Sequence, residues 1–129
     1  MITKLASVMV YVDNQDQALK FYTEKLGFQI ITDRQLPNGM RWVAVAPTKD
    51  SETRIILEDM QDSDRARALS KPLGSGTTWV FNTDDCRKTY QELKAKGVTM
   101  TQEPTVQPYG LEATFIDLYG NTFALVQPN

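Results

Sequence analysis

The sequence predicts an α+β fold built from two βαβββ modules. Three observations carry that prediction. Two helix signatures stand in the chain, each is preceded by one strand-like run and followed by three, and a polar segment separates the two sets. The 129 residues are expected to form a single domain, with module 1 over 1–60, a linker over 61–75 and module 2 over 76–129.

The first strand is "LASVMVYV", residues 5 to 12. Its alternation puts Val8, Val10 and Val12 on one face and Ser7, Met9 and Tyr11 on the other, because side chains along a strand repeat every two residues. The first helix follows in "DNQDQALKFYTEKLGF". Asp13 or Asn14 can accept the free N–H groups of its first turn, and Asp16 suits the positive end of the helix dipole. Ala18, Tyr22 and Leu26, with Leu19 beside them, form the apolar stripe, and Gly27 stands where a left-handed cap is needed. Three strand runs follow, "FQIITD", "RWVAVAP" and "TRIILED", with "PNG" (37–39) as the turn before the second.

Residues 60–76, "MQDSDRARALSKPLGSG", are polar and end in Pro and Gly, which marks a solvated linker with at most a helical turn. The pattern then begins again. The second helix, "TDDCRKTYQELKAKGV", has Asp84 or Asp85 as cap, Tyr90 and Leu93 as stripe and Gly97 as stop, and "VTMTQE", "EATFIDL" and "NTFALVQ" follow it. "YGN" (119–121) is the turn before the last strand. Overlaying Tyr22 on Leu93 places Asp13 on Asp84, Tyr11 on Asn82, Met9 on Val80 and Ser7 on Thr78. Caps, stripes and stops fall into place together, which chance alternation does not produce.

Composition narrows the function classes. A formal charge of −2, 41% hydrophobic and 23% charged residues are ordinary for a globular protein. No Lys/Arg stripe interleaves with aromatics, so nucleic acid is not an expected partner. The apolar runs are far shorter than a bilayer span, so no membrane partner is expected either. The N-terminus lacks the pattern of a secretory signal, which makes a cytoplasmic protein the expectation. One cysteine excludes an internal disulfide, and the complete absence of histidine removes imidazole as general base or metal ligand.

The stretches "VYVDNQDQALKFYTEKLGF", "NTDDCRKTYQELKAKGV" and "YGLEATFIDLYGNTFALVQP", in this order, resemble the vicinal oxygen chelate superfamily, which contains glyoxalase I, extradiol dioxygenases and the bleomycin-resistance binding proteins. The resemblance covers essentially the whole chain. It implies sheets curled into a cup with helices outside and a ligand site within, and in many members a homodimer. It also implies which residues face the cup: Ser7, Met9, Tyr11, Ile56 and Glu58 in module 1, and Thr78, Val80, Asn82 and Ala124 in module 2. Trp79, Phe81, Phe123 and Leu125 are then expected under the helix.

The family's enzymes hold a divalent metal with histidine and glutamate at four equivalent positions. Here those positions are Ser7, Ile56, Thr78 and Ala124, which offer neither imidazole nor carboxylate, so no metal and no cofactor is expected. The reading that follows is metal-independent binding of a small aromatic or amphipathic molecule in the cup. Two alternatives remain at this point. One is a lyase, isomerase or dioxygenase-type enzyme using displaced residues such as Glu58, with Tyr11 or Tyr109; otherwise Glu58 is a strand-end carboxylate in solvent. The other is a degenerate domain used for dimerisation or partner contact. Trp42 and Tyr109 are further candidate stacking surfaces, and Arg34, Arg41 and Arg54 either meet an acidic ligand or are scattered surface charge. Cys86 begins a helix but has no histidine partner, so an inert thiol is expected.

Overall fold

The computed structural model describes residues 1–60 and 78–129. The linker expected over 61–75, with the Gly residues that end it, therefore lies outside the described residues. The chain divides into two compact units, Met1–Leu73 and Gly74–Asn129, each carrying one four-stranded mixed sheet.

In the first unit, β1 (Ser7–Val12) is followed by α1 (Gln15–Lys20) and then β2 (Gln29–Gln35), β3 (Arg41–Ala46) and β4 (Arg54–Asp59). The sheet order is β1-β4-β3-β2, with β1 parallel to β4 and the other neighbours antiparallel. This is the βαβββ pattern. Asn14 is the N-cap, its Oδ1 accepting the Gln17 amide at 2.9 Å. Val10, Val12, Val43, Val45, Ile55 and Leu57 are all buried and form the helix side of the sheet, beneath Ala18, Leu19 and Tyr22.

One local feature departs from the expected regular helix. After Lys20 the chain widens into a π turn over Phe21–Lys25, in which the Leu26 amide donates to the Phe21 carbonyl at 3.3 Å. Thr23 Oγ1 donates back to the Leu19 carbonyl at 2.7 Å, the side-chain competition that distorts helices. The wider winding brings Phe21 into the core at 5% exposure and leaves Leu26 half-buried, so the stripe reads Ala18, Leu19, Phe21, Tyr22.

In the second unit, β5 (Trp79–Asn82), α2 (Cys86–Ala95), β6 (Thr99–Gln107), β7 (Gly110–Ile116) and β8 (Thr122–Pro128) form a sheet of order β5-β8-β7-β6. Asp85 caps α2, accepting the Lys88 amide at 3.0 Å, and Gly97 ends it at φ 87°. Beneath the helix, Phe81, Phe115 and Phe123 stack with ring centroids 5.3 to 6.4 Å apart. Trp79, expected in the same layer, is only half-buried. β6 runs past Pro104, beyond its expected end, because as an edge strand it has a side that owes no hydrogen bonds.

Candidate functional site

In the first unit, strand register sorts the site residues into rows on the sheet face opposite α1. Ser7 stands opposite Arg54, Met9 opposite Ile56 and Tyr11 opposite Glu58. Ala44 extends the Met9–Ile56 row, and alternation places Trp42 beside Glu58. Ser7, Met9 and Tyr11 are half-buried, while Ile56 is 3% exposed. Glu58 is not the solvent-facing strand-end carboxylate that its position near a terminus suggested. At 9% exposure it is buried, because β4 is an internal strand that lies between β1 and β3 in the sheet order.

Ile56 and Glu58 open onto a cavity of about 240 Å3 at one end of this sheet. Its remaining wall comes from Gln15 at the start of α1, Gln35 at the end of β2, the Gly39–Trp42 stretch, Leu57 and Asp59. The cavity exists where β3 and β4 stop pairing. Their ladder joins Val45 to Ile55 and Ala44 to Ile56 and goes no further. In the second unit, the corresponding β7–β8 ladder continues through Ala113–Leu125 and Glu112–Val126 to Gly110–Pro128. At the opening, Gln15 Nε2 donates to the Arg41 carbonyl at 3.1 Å and to the Leu57 carbonyl at 2.9 Å, supplying donors where the ladder lapses.

Arg41 borders the same cavity with its charge already committed. Its Nε and Nη2 donate to Asp33 at 2.9 Å each, and Nη1 donates to Asp16 at 2.7 Å. These bonds hold the Asp33 carboxyl below the usual carboxylate range, chiefly through hydrogen bonding by Arg41. Arg34 and Arg54 are exposed and do not line the cavity.

The module 2 residues stand differently. Thr78 is exposed and precedes β5; Val80, 60% exposed, pairs with Ala124, which is 4% exposed; Asn82, exposed, pairs with Val126. Tyr109 is exposed in the β6–β7 turn and donates its hydroxyl to Glu112 Oε2 at 2.8 Å, which raises the phenol pKa. Cys86 is fully buried, with its thiol directed at the Leu125 carbonyl 3.7 Å away and its pKa raised by burial. A thiol so placed is starved of thiolate and of access.

The residues at the four family metal positions do not fit a divalent cation. Ser7 and Thr78 present neutral hydroxyls, while Ile56 and Ala124 present hydrocarbon. Among the described residues, no three His, Cys, Asp or Glu side chains come together as a metal-holding group.

Gln15, Gln35 and Met40 went unread as site residues in the sequence. Gln15 looked like an ordinary first-turn residue, and Gln35 and Met40 like flanks of the "PNG" turn. The only available signal was that turn, which brings the start of β3 back beside the end of β2.

Residues 4–125 match the sequence model of the Glyoxalase/Bleomycin resistance protein/Dioxygenase superfamily. The chain is 37% identical over 127 residues to the Bacillus subtilis protein YurT, covering 96% of this chain and 98% of that one. Among solved structures it is similar to TnmS3, an antibiotic binding protein from Streptomyces sp. CB03234. That likeness has a TM-score of 0.84 and 32% identity, covering 99% of this chain and 98% of that one. A superfamily member from Sphaerobacter thermophilus superposes with a TM-score of 0.86 at 32% identity, over 98% of both chains. With two βαβββ units in its fold and this match along its length, the chain belongs to the Glyoxalase/Bleomycin resistance protein/Dioxygenase superfamily.

Proposed function

We propose that this protein is a cytoplasmic, metal-independent binder of a small aromatic or amphipathic molecule, acting as a homodimer. The observation that carries the reading is the cavity in the first unit, where apolar Ile56, Trp42 and Met40 meet the carboxylate of Glu58. Apolar walls with a few fixed polar groups are the usual make-up of a ligand site. Met9 and Tyr11 extend the same sheet face beside it. The likeness to an antibiotic binding protein supports the class of ligand, and the unsuitable donors at Ser7, Ile56, Thr78 and Ala124 support metal independence.

The test has two parts. Protein incubated with Zn, Ni, Mn and Fe(II) salts and then desalted is expected to retain no stoichiometric metal; retention would restore a metalloenzyme reading. A Trp79→Phe variant leaves Trp42 as the sole indole reporter. Its fluorescence is expected to change saturably with polycyclic aromatic antibiotics, and a flat titration across such a panel would count against binding.

An enzymatic reading is favoured by one observation: Tyr11 and the buried Glu58 stand opposite each other on adjacent strands. Glu58→Gln separates the two. As a general base its loss abolishes turnover of whatever substrate is found, whereas as an orienting contact it changes affinity alone.

A further inference from the structure

The polarity of the first-unit cavity says which kind of ligand it takes, given the small-molecule reading above. Its side-chain donors are mostly spent on the protein itself. Gln15 Nε2 is held by the Arg41 and Leu57 carbonyls, and Gln35 Nε2 donates to the Gly39 carbonyl at 2.7 Å. The Arg41 guanidinium is divided between Asp33 and Asp16. Two backbone amides of the adjacent turn are also committed, Met40 to Asn38 Oδ1 at 3.0 Å and Gly39 to the Leu36 carbonyl at 2.9 Å.

These bonds fix both carboxamides in one orientation. Rotating the Gln15 amide by half a turn would set Oε1 against two carbonyl oxygens, and rotating Gln35 would set its own against one. That leaves Gln15 Oε1 as an acceptor for a ligand, and Gln35 Oε1 as a second one beside the other N–H of its own amide. Glu58 and Asp59, which border the same space, are carboxylates and accept as well. The indole N–H of Trp42 also lines the space, and Gln35 Nε2 and the Arg41 guanidinium each carry more N–H bonds than these partners use. An anionic ligand would meet the acidic side chains of Glu58 and Asp59 at this wall.

We propose that the cavity selects an aromatic ring bearing hydroxyl or amino groups, whose O–H or N–H bonds are accepted by Gln15 Oε1 and Gln35 Oε1 while the ring lies against Trp42 and Ile56. The volume suits this scale. About 240 Å3 falls below the range usual for a whole drug-sized ligand, so one substituted ring enters and any remainder of the molecule lies outside. Gln15 is then the specificity-determining residue, because one carboxamide both closes the lapse in the β3–β4 ladder and points an acceptor at the ligand.

The experiment uses the full 15N-labelled chain and four ring probes: resorcinol, 3-aminophenol, 1,3-dimethoxybenzene and benzoate. The carboxamide signals of Gln15 and Gln35 and the indole signal of Trp42 are followed in titration. Resorcinol and 3-aminophenol are expected to shift them saturably, binding about tenfold or more tightly than 1,3-dimethoxybenzene, since an acceptor left unmet beneath the bound ring costs on the order of one hydrogen bond. Whichever of the two binds better tells whether oxygen or nitrogen carries the preferred donor. Gln35→Met, at an exposed position that does not threaten folding, is expected to reduce the preference, and Gln15→Met to reduce it further. Equal binding of the dimethoxy probe, or tighter binding of benzoate, would overturn the donor rule while leaving small-molecule binding intact. If none of the four moves these signals saturably, the cavity is no ligand site and both readings fall together.

Discussion

Arg41 grips Asp33 with a two-pronged ion pair across neighbouring strands, Nε to Oδ1 and Nη2 to Oδ2, both at 2.9 Å. Both side chains are about one-third exposed, so solvent screens the pair and its worth is about 0.5–1 kcal/mol. The pH dependence has a definite sign. The folded carboxyl of Asp33 titrates below its unfolded value, because Arg41 hydrogen-bonds the charged form. Its contribution is therefore complete above the unfolded pKa near 4 and disappears as pH falls through the lower folded value. Asp33→Asn is expected to lower Tm by about 2–4 °C at neutral pH. That difference should shrink progressively as pH falls below the unfolded value near 4 and through the lower folded value. A difference that stays constant through acid titration would remove the ion pair as its cause.

The aromatic stack of the second unit makes a larger prediction. Phe123 is fully buried, 5.3 Å from Phe81 and 5.4 Å from Phe115 between ring centroids. Truncation to Ala removes one of three mutually packed rings and leaves a void that the stiff sheet beneath cannot close. The expected cost is about 3–5 kcal/mol in urea unfolding, with Phe123→Leu losing markedly less. Equal losses from both variants would mean that ring stacking, rather than volume, dominates there.

What the sequence disclosed and what it withheld divide along a physical line. Caps and stops are local: Asn14, Asp85, Gly27 and Gly97 act within one helical turn, and their spacing shows in the chain. Strand faces follow from period two, so Val10 and Val12 are assigned correctly to the helix side. The π turn at Phe21–Lys25 was hidden because it depends on how Phe21 and Tyr22 pack, with their rings 5.6 Å apart at a steep angle. The burial of Glu58 was hidden because it depends on β4 lying inside the sheet, a fact of strand order. Most hidden was the cavity itself. It arises where the β3–β4 ladder lapses after Ala44–Ile56, and nothing in "RWVAVAP" or "TRIILED" marks that end.

Cys86 supplies a test of accessibility. Its side chain is completely enclosed, its thiol faces the Leu125 carbonyl, and burial raises its pKa, so the reactive thiolate is scarce even in mildly alkaline solution. Iodoacetamide at such a pH is expected to leave the folded protein unmodified and to label one equivalent after guanidinium is added. Rapid labelling of the folded chain would show that the start of α2 opens readily.

Gly110 closes the β6–β7 turn in a backbone conformation that only glycine adopts comfortably, at φ 146°. It is also pressed against the last strand: a Cβ built there would collide with the Gln127 carbonyl oxygen and touch the Pro128 backbone. Neither neighbour can yield cheaply, since Gly110 pairs with Pro128 and Leu111 with Gln127 in the ladder that joins β7 to β8. Gly110→Ala is thus expected to cost on the order of 3 kcal/mol, combining conformational strain with displacement of paired backbone. Gly39→Ala is the control, because Gly39 also has positive φ but open space around its missing Cβ. Its cost is confined to conformational strain, about 1–2 kcal/mol. Urea unfolding of the two variants measures the difference directly, and equal losses would remove the close approach of β7 and β8 as the reason for glycine at position 110.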